Sequence, residues 1–179
     1  MLRVIKFSAL LMGALIFGCA AVSSVEPVGE RAKETSQKEW GGTWIHGSHA
    51  ITIKVLNEQK GLLQVAWVEE KEGGLKLESY QVAMRESGQW IFGNVKEKED
   101  AASHYWALIK KDTGQIIVWN PDPARFRKLV QTGDLRGKVE KCDVILEKLT
   151  ADDLKGVLSG DKGMCFDWQN PVVFFSLGK

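Results

Sequence analysis

The sequence predicts a mainly β protein, an antiparallel meander that closes into a barrel or a strongly curved sheet, with two short helices near the C-terminus. Apolar and polar residues alternate with a period of two in several short segments, which is typical of strands with one buried face. Polar or glycine-containing turns separate these segments at intervals of roughly 10–12 residues, a spacing typical of all-β domains. After Trp119 the pattern changes to capped segments with one apolar face, which indicates helices.

The predicted strands begin at Gly42 and follow one another through Trp119. In the segment 77–84, Tyr80, Val82 and Met84 lie on one side of the strand. Residues 111–114 form a hairpin connection that ends on a glycine, which tolerates the positive φ that such turns need. The other strands are expected over residues 42–45, 51–55, 63–67, 90–95, 105–109 and 115–119.

The first helix is expected to begin at Pro123, with Asp122 as its N-cap and Gly133 at its end. Phe126, Leu129 and Val130 form its apolar face. Arg125, Arg127 and Lys128 lie largely elsewhere on its surface, and a solvated face is the preferred interpretation of these cations over contact with lipid or phosphate.

The second helix is expected to follow Thr150, because Thr150 and Asp153 have the spacing of a capping box and Gly160 can end the helix. Leu149 can pack against Leu154. Since each helix is short and has one apolar face, both should pack on the barrel. Residues 138–149 are expected to form a strand, and residues 166–177 the closing strand, in which Pro171 indicates an edge position or a bulge.

The N-terminus has the features of a secretory signal. Arg3 and Lys6 precede an apolar run over residues 7–17, which is too short to cross a bilayer stably. Residues 16–19, Ile-Phe-Gly-Cys, resemble a bacterial lipobox. The resemblance implies a signal peptide over residues 1–18, a lipid anchor on Cys19 and, because Ala20 follows, an outer-membrane lipoprotein that faces the periplasm. An ordinary cleaved signal and a retained anchor are the alternatives.

Residues 19–39 are predicted to be a flexible tether, because they are small or polar and offer almost nothing to bury. An arm that lies on the domain is the alternative. Residues 40–179 are predicted to form a single β-rich domain. Without Arg3 and Lys6 the chain has 24 − 2 = 22 basic against 23 acidic residues, and this balance argues against a nucleic-acid partner.

The chain shows no arrangement of residues that indicates catalysis or a bound cofactor. The three histidines, His46, His49 and His104, are interpreted as surface turn residues, so no metal site is expected. Cys142 and Cys165 remain as a pair once Cys19 is assigned to the anchor. In an oxidising compartment they are expected to form a disulfide, and two buried free thiols are the alternative.

Seven tryptophans are more than a core of this size requires. For any single one, core packing is the preferred interpretation over a place in a ligand site. Trp44, Trp67, Trp90 and Trp106 are the candidate ligand-lining residues. The sequence Gly42-Thr43-Trp44 resembles the opening Gly-x-Trp of lipocalins, which implies that Trp44 packs across the base of a barrel.

A broader resemblance connects the chain to uncharacterised bacterial envelope lipoproteins, through residues 119–126 and 129–133. Two functions are therefore expected of a lipid-anchored envelope protein. In the first, a lipocalin-like barrel binds a small apolar ligand. In the second, a filled barrel acts in envelope assembly or maintenance through contacts with partner proteins, while an enzyme is the least favoured alternative. A cavity above roughly 300 Å³ would favour the first function, and a packed interior the second.

Overall fold

The computed structural model describes residues 20–71, 74–96, 98 and 100–177. In these residues twelve strands and three helices follow one another along the chain. The strands are β1 (Val22–Ser24), β2 (Arg31–Ala32), β3 (Gly42–His46), β4 (His49–Asn57), β5 (Leu62–Lys71), β6 (Gly74–Ser87), β7 (Trp90–Val95), β8 (His104–Asp112), β9 (Gln115–Trp119), β10 (Gly137–Glu140), β11 (Asp143–Leu146) and β12 (Val172–Ser176). The helices are α1 (Gln37–Trp40), α2 (Pro123–Gln131) and α3 (Ala151–Ser159).

Eight of these strands form a closed antiparallel barrel, which confirms the predicted fold class. Strands β3 to β9 are a meander in which each strand pairs with the next. The chain then leaves the barrel to form α2, β10, β11 and α3, and returns as β12 between β9 and β3. Pro171 lies directly before β12, so its missing N–H costs no ladder bond. The predicted edge position or bulge is therefore wrong.

The alternation seen in the sequence decides which side chains fill the barrel. On β6, Val82 and Met84 face inward as predicted, and the partner of Val82 on β5 is Leu63, which also faces inward. We call the buried cluster inside the barrel the barrel core. Its members are Trp40, Trp44, Ile51, Ile53, Leu63, Val65, Val82, Met84, Val95, Ala107, Ile109, Ile116, Val118 and Phe174.

A second buried cluster, which we call the outer core, lies against the outside of the barrel. Strand β8 separates the outer core from the barrel core and contributes to both. Its residues Trp106 and Leu108 face the outer core, while Ala107 and Ile109 face the barrel core. The outer core consists of Val22, Val28, Phe92, Trp106, Leu108, Phe126, Leu129, Leu135, Val144, Leu146, Leu154, Val157, Cys165 and Phe166.

The helices that cover the outer core have the predicted caps. The side chain of Asp122 accepts hydrogen bonds from two backbone amides of α2, and Thr150 and Asp153 form the capping box of α3. Gly160 follows α3 with a left-handed φ of 82°. Because Phe126 of α2 and Leu154 of α3 are buried in the outer core, both helices are docked.

The predicted flexible tether is wrong for the residues that the structure describes from Ala21 to Thr35. Strand β1 lies between β11, to which it is parallel, and β8, to which it is antiparallel. The chain then crosses the outside of the barrel, where β2 pairs with β6. Val28 is only 2% exposed, and both its backbone groups bond to the side chain of Asn94. The folded domain therefore begins well before residue 40.

We call residues 21–35 the strap. Small and polar residues suit the strap because its stability comes from backbone pairing. The first residues of β8 lack β9 as a neighbour, since β9 pairs only with the second half of β8. Strand β1 fills this place, and it also completes the hairpin of β10 and β11. Residues 138–149, predicted as one strand, are this hairpin together with the segment that leads to α3.

Candidate functional site

The base of the barrel is covered by α1 and closed by aromatic side chains. Ser36 caps this short helix, and Trp40 at its end is 1% exposed. The indole Nε1 of Trp44 donates to the carbonyl oxygen of Trp40 at 3.0 Å. Lys111, from the hairpin of β8 and β9, holds its ammonium 5.1 Å from the centre of the Trp44 ring. Trp44 is thus a fixed part of the base, stabilised by a hydrogen bond and a cation–π contact.

The barrel interior above this base contains a cavity of about 30 Å³. Its walls are eleven apolar side chains of the barrel core, among them Trp40, Met84 and Phe174. Binding sites for small molecules usually measure about 300–1,000 Å³. At this depth the barrel therefore has room for a water-sized molecule, and a drug-sized ligand would require several side chains to move.

The opposite end of the barrel, which we call the mouth, carries a stacked aromatic pair. The rings of Trp67 on β5 and Tyr80 on β6 are 5.5 Å apart and nearly parallel, at 23°. Both side chains are partly buried against the barrel core. This pair lies where β5 and β6 begin to extend beyond β4 and β7.

Beyond the mouth, β5 and β6 continue as a projecting ribbon of two strands, formed by residues 68–71 and 74–81. Pairing with β4 ends at Trp67, and pairing with β7 ends at Val82. Val68 and Leu77 are directly opposite partners on the ribbon, and Leu75 lies on the same face because it is two residues from Leu77. Their exposed fractions are 60%, 69% and 78%. The outer face of the ribbon is therefore an exposed apolar surface.

The structure separates the four tryptophans proposed as ligand-lining residues. Trp44 lies at the base and Trp67 at the mouth, whereas Trp90 and Trp106 pack in or against the outer core. The reason is strand parity, because Phe92 and Trp106 lie on the outward faces of β7 and β8. These four side chains do not line one cavity.

Trp40 is the site residue that the sequence analysis missed. It lines the cavity, and its Nε1 is buried without an acceptor among the described residues. Its position directly before the predicted first strand could have indicated this role, because a helix that covers the end of a barrel can place one side chain inside it. That helix is a single turn, too short for its periodicity to be recognised.

The predicted disulfide between Cys142 and Cys165 is wrong, since both are free thiols. Cys142 lies in the loop of the β10–β11 hairpin, whereas Cys165 is fully buried beneath α2, with its backbone bonded to Asp122. Cys165 lies in the loop ahead of β12, and β12 pairs with β9 and β3 in the barrel and not with the β10–β11 hairpin. Burial raises the pKa of the Cys165 thiol.

The histidines do not converge on one point. His46 and His49 face each other across the β3–β4 loop, and the Nδ1 of His46 lies 2.9 Å from the carbonyl oxygen of Val173. His104 lies at the start of β8, beside β1. Within the described residues, no group of three or more potential metal ligands is close enough to hold an ion.

The predicted signal peptide and Cys19 lie outside the described residues. Among the helices of the described segments, none is both long and apolar enough to cross a bilayer. Comparison of the chain with protein-family models, with curated proteins and with solved structures gives no match.

Proposed function

We propose that the protein is a lipid-anchored bacterial envelope protein whose barrel is a filled scaffold, and that it acts in envelope assembly or maintenance by contacting partner proteins. The observation that carries this proposal is the 30 Å³ cavity in the barrel core, about a tenth of the lower limit for a small-molecule site. A β-barrel with a packed interior presents its surface, rather than its lumen, for recognition.

The ribbon is the surface that best suits a protein partner. A two-stranded hairpin is only marginally stable alone, and extended apolar surface is uncommon on a monomer. The ribbon nevertheless exposes Val68, Leu75 and Leu77 on one face. A partner that covers this face would bury all three side chains and stabilise the ribbon.

Site-specific photocross-linking in the cells that make the protein tests this proposal. A photoreactive residue at Leu77 should give a discrete adduct with one envelope protein, and Leu75→Ser with Val68→Ser should abolish it. Leu56, which is also an exposed leucine, supplies the matched control position. Equal adducts at positions 56 and 77, or none at 77, would contradict a ribbon-directed partner.

The anchor is tested separately. The lipobox resemblance supports acylation of Cys19, and several acyl chains together hold a protein on a membrane persistently. Cys19→Ser should move the protein from the membrane fraction to the soluble fraction. Intact mass analysis of the wild-type protein should show the acyl chains, and a wild-type protein without them would rule out this part of the proposal.

A second candidate is a lipocalin-like module for a small apolar ligand. It is favoured by one feature of the cavity, whose lining consists entirely of apolar side chains. Sites for small molecules are lined predominantly by hydrophobic and aromatic side chains. Native mass spectrometry of protein purified from its own membranes should then show a bound compound, which Val82→Ile should weaken by filling the cavity. A ligand-free spectrum would contradict this candidate.

A further inference from the structure

The first described residues are fixed to the folded domain. The backbone N–H of Ala21 donates to the carboxylate of Asp143 at 2.9 Å, and its carbonyl oxygen accepts from the N–H of Val144 at 2.8 Å. Ala21 is 7% exposed, and β1 begins at the next residue. The chain is therefore fixed to the domain from Ala21 onwards, and Ala20 lies one residue before the first fixed position.

This attachment determines how far the domain can be from an anchor on Cys19. Consecutive Cα atoms are about 3.8 Å apart, so one peptide bond separates Cys19 from a residue beside the sheet. A free tether of about twenty residues would instead reach roughly 25 Å. An acyl chain on Cys19 thus holds the surface around Ala20 directly at the lipid head groups.

The surface beside Ala20 is the β10–β11 loop, which consists of Lys141 and Cys142. Two cations lie there: Lys141 is exposed, and Arg127 donates from Nη2 to the carbonyl oxygen of Cys142 at 2.6 Å. Two carboxylates flank the loop. Asp143 accepts the bond from Ala21, and Glu140 forms an ion pair with Lys138. Lys141 forms no ion pair with a described residue.

The backbone of Lys141 adds a separate observation. Its φ is 53°, and among the described residues it is the one non-glycine residue with a positive φ. Glycine and asparagine are the usual residues at such hairpin positions, because a lysine Cβ is strained in the left-handed region. Local backbone strain of this kind is concentrated at functional sites, so a lysine in place of glycine at an exposed loop tip favours a role for its side chain.

We infer that the β10–β11 loop faces the membrane and that Lys141 contacts the anionic phosphates of lipid head groups, so that the domain lies flush on the bilayer. This inference rests on the proposed anchor at Cys19. The β10–β11 loop points towards the end of the barrel where β8 ends, because β11 is parallel to β1 and β1 is antiparallel to β8. Strands β4 and β8 run in the same direction, so the β3–β4 loop lies at the other end of the barrel, where β8 begins, and is directed away from the membrane.

The native cysteines provide the test. Cys165 is fully buried and Cys19 is acylated, so a bulky, membrane-impermeant maleimide should react only with Cys142 in the folded protein. Cys142 should react at least about tenfold more slowly in anchored protein on vesicles of phosphatidylethanolamine and phosphatidylglycerol than in soluble Cys19→Ser protein. The matched control is Ser48→Cys in a Cys142→Ser background, which labels the opposite loop and should react equally in both states.

Lys141→Gly tests the lysine itself. Glycine relieves the backbone strain, so this variant should melt no lower than the parent. Protection is the ratio of the Cys142 labelling rate in soluble protein to the rate on anionic vesicles. In Lys141→Gly this ratio should be about fivefold lower than in the parent, the change expected for one cation near an anionic surface. Vesicles of phosphatidylcholine alone should give parent and variant the same protection.

The outcomes separate the inference from the anchor. Anchored protein whose Cys142 reacts as fast as in the soluble form would overturn the flush orientation while leaving the anchor intact. Unchanged protection in Lys141→Gly would overturn the contact between Lys141 and lipid. Wild-type protein that carries no acyl chains and does not bind vesicles would overturn the anchor and the inference together.

Discussion

The two buried clusters of this protein are built in different ways. The barrel core takes most of its residues from strands that follow one another along the chain, and aliphatic side chains dominate it. The outer core joins residues as distant in sequence as Val22 and Phe166, and it contains a connected group of aromatic rings around Trp106. The first cluster therefore follows from a local pattern, whereas the second exists only after remote segments have met.

The outer core also explains the number of tryptophans. Trp106 contacts Phe92, Phe126 and Phe166 edge to face, with ring centres 5.6–6.1 Å apart. Trp168 contacts Trp90, Trp119 and Phe166, and so extends the aromatic network. Edge-to-face pairs contribute roughly 0.5–1.5 kcal/mol each beyond the area that they bury. Most of the tryptophans thus stabilise the packing of the outer elements on the barrel wall.

The largest expected effect comes from breaking the outer core at Leu154, which is 2% exposed on α3. Leu154→Asp loses an apolar contact and buries a carboxylate without a partner, which should cost about 4 kcal/mol or more. Because β8 belongs to both cores, urea should unfold them in a single transition at a lower midpoint. Lys155→Asp, at the exposed neighbouring position, is the control.

Hydrogen exchange shows whether the two cores respond together. The amides of Val65 in the barrel core and Val144 in the outer core should lose protection in parallel in Leu154→Asp. If Val65 kept its protection while Val144 exchanged rapidly, the outer core would be a separate unit. Equal stability of the two aspartate variants would show that α3 is not docked.

An intermediate effect is expected at Asn94, which joins the strap to the barrel. Its side chain accepts from the N–H of Val28 at 2.6 Å and donates to the carbonyls of Val28 and Ala83. Asn94→Ala leaves buried backbone groups unpaired, at a cost of about 2–3 kcal/mol in urea unfolding. Asn57→Ala removes one exposed loop bond and should cost less than about 1 kcal/mol. Equal costs would mean that the strap is loosely held.

The smallest effect is a pH dependence at His104, where β1 meets β8. Burial lowers the pKa of His104 below its usual value of 6.5, and repulsion from Lys96 acts in the same direction, outweighing the hydrogen bonds at Ser24 and Val25. As the pH falls through 6.5 the unfolded chain is protonated first, so stability decreases until the pH reaches the lower folded pKa. His104→Asn should flatten this decrease below pH 6.5 in urea unfolding, whereas His49→Asn should retain it.

The sequence by itself determined the meander and the two helices. Side chains of a strand alternate between faces, and this period is written in neighbouring residues, so the inward positions of Val82 and Met84 were predictable. Helix caps are equally local, since Asp122, Thr150 and Asp153 satisfy amides within three residues of themselves.

The order of residues 21–35, the positions of the tryptophans and the separation of the two cysteines were decided only by the tertiary structure. These features depend on contacts between residues that are far apart in the sequence. Residues 21–35 carry no strand signal of their own, and they are ordered by the open edges of β8 and β11. Trp90 and Trp106 became outer-core residues when α2 and the segment before β12 covered β7 and β8. Cys142 and Cys165 stayed apart because β12 entered the barrel. A short sequence window contains no information about which element will cover a given face.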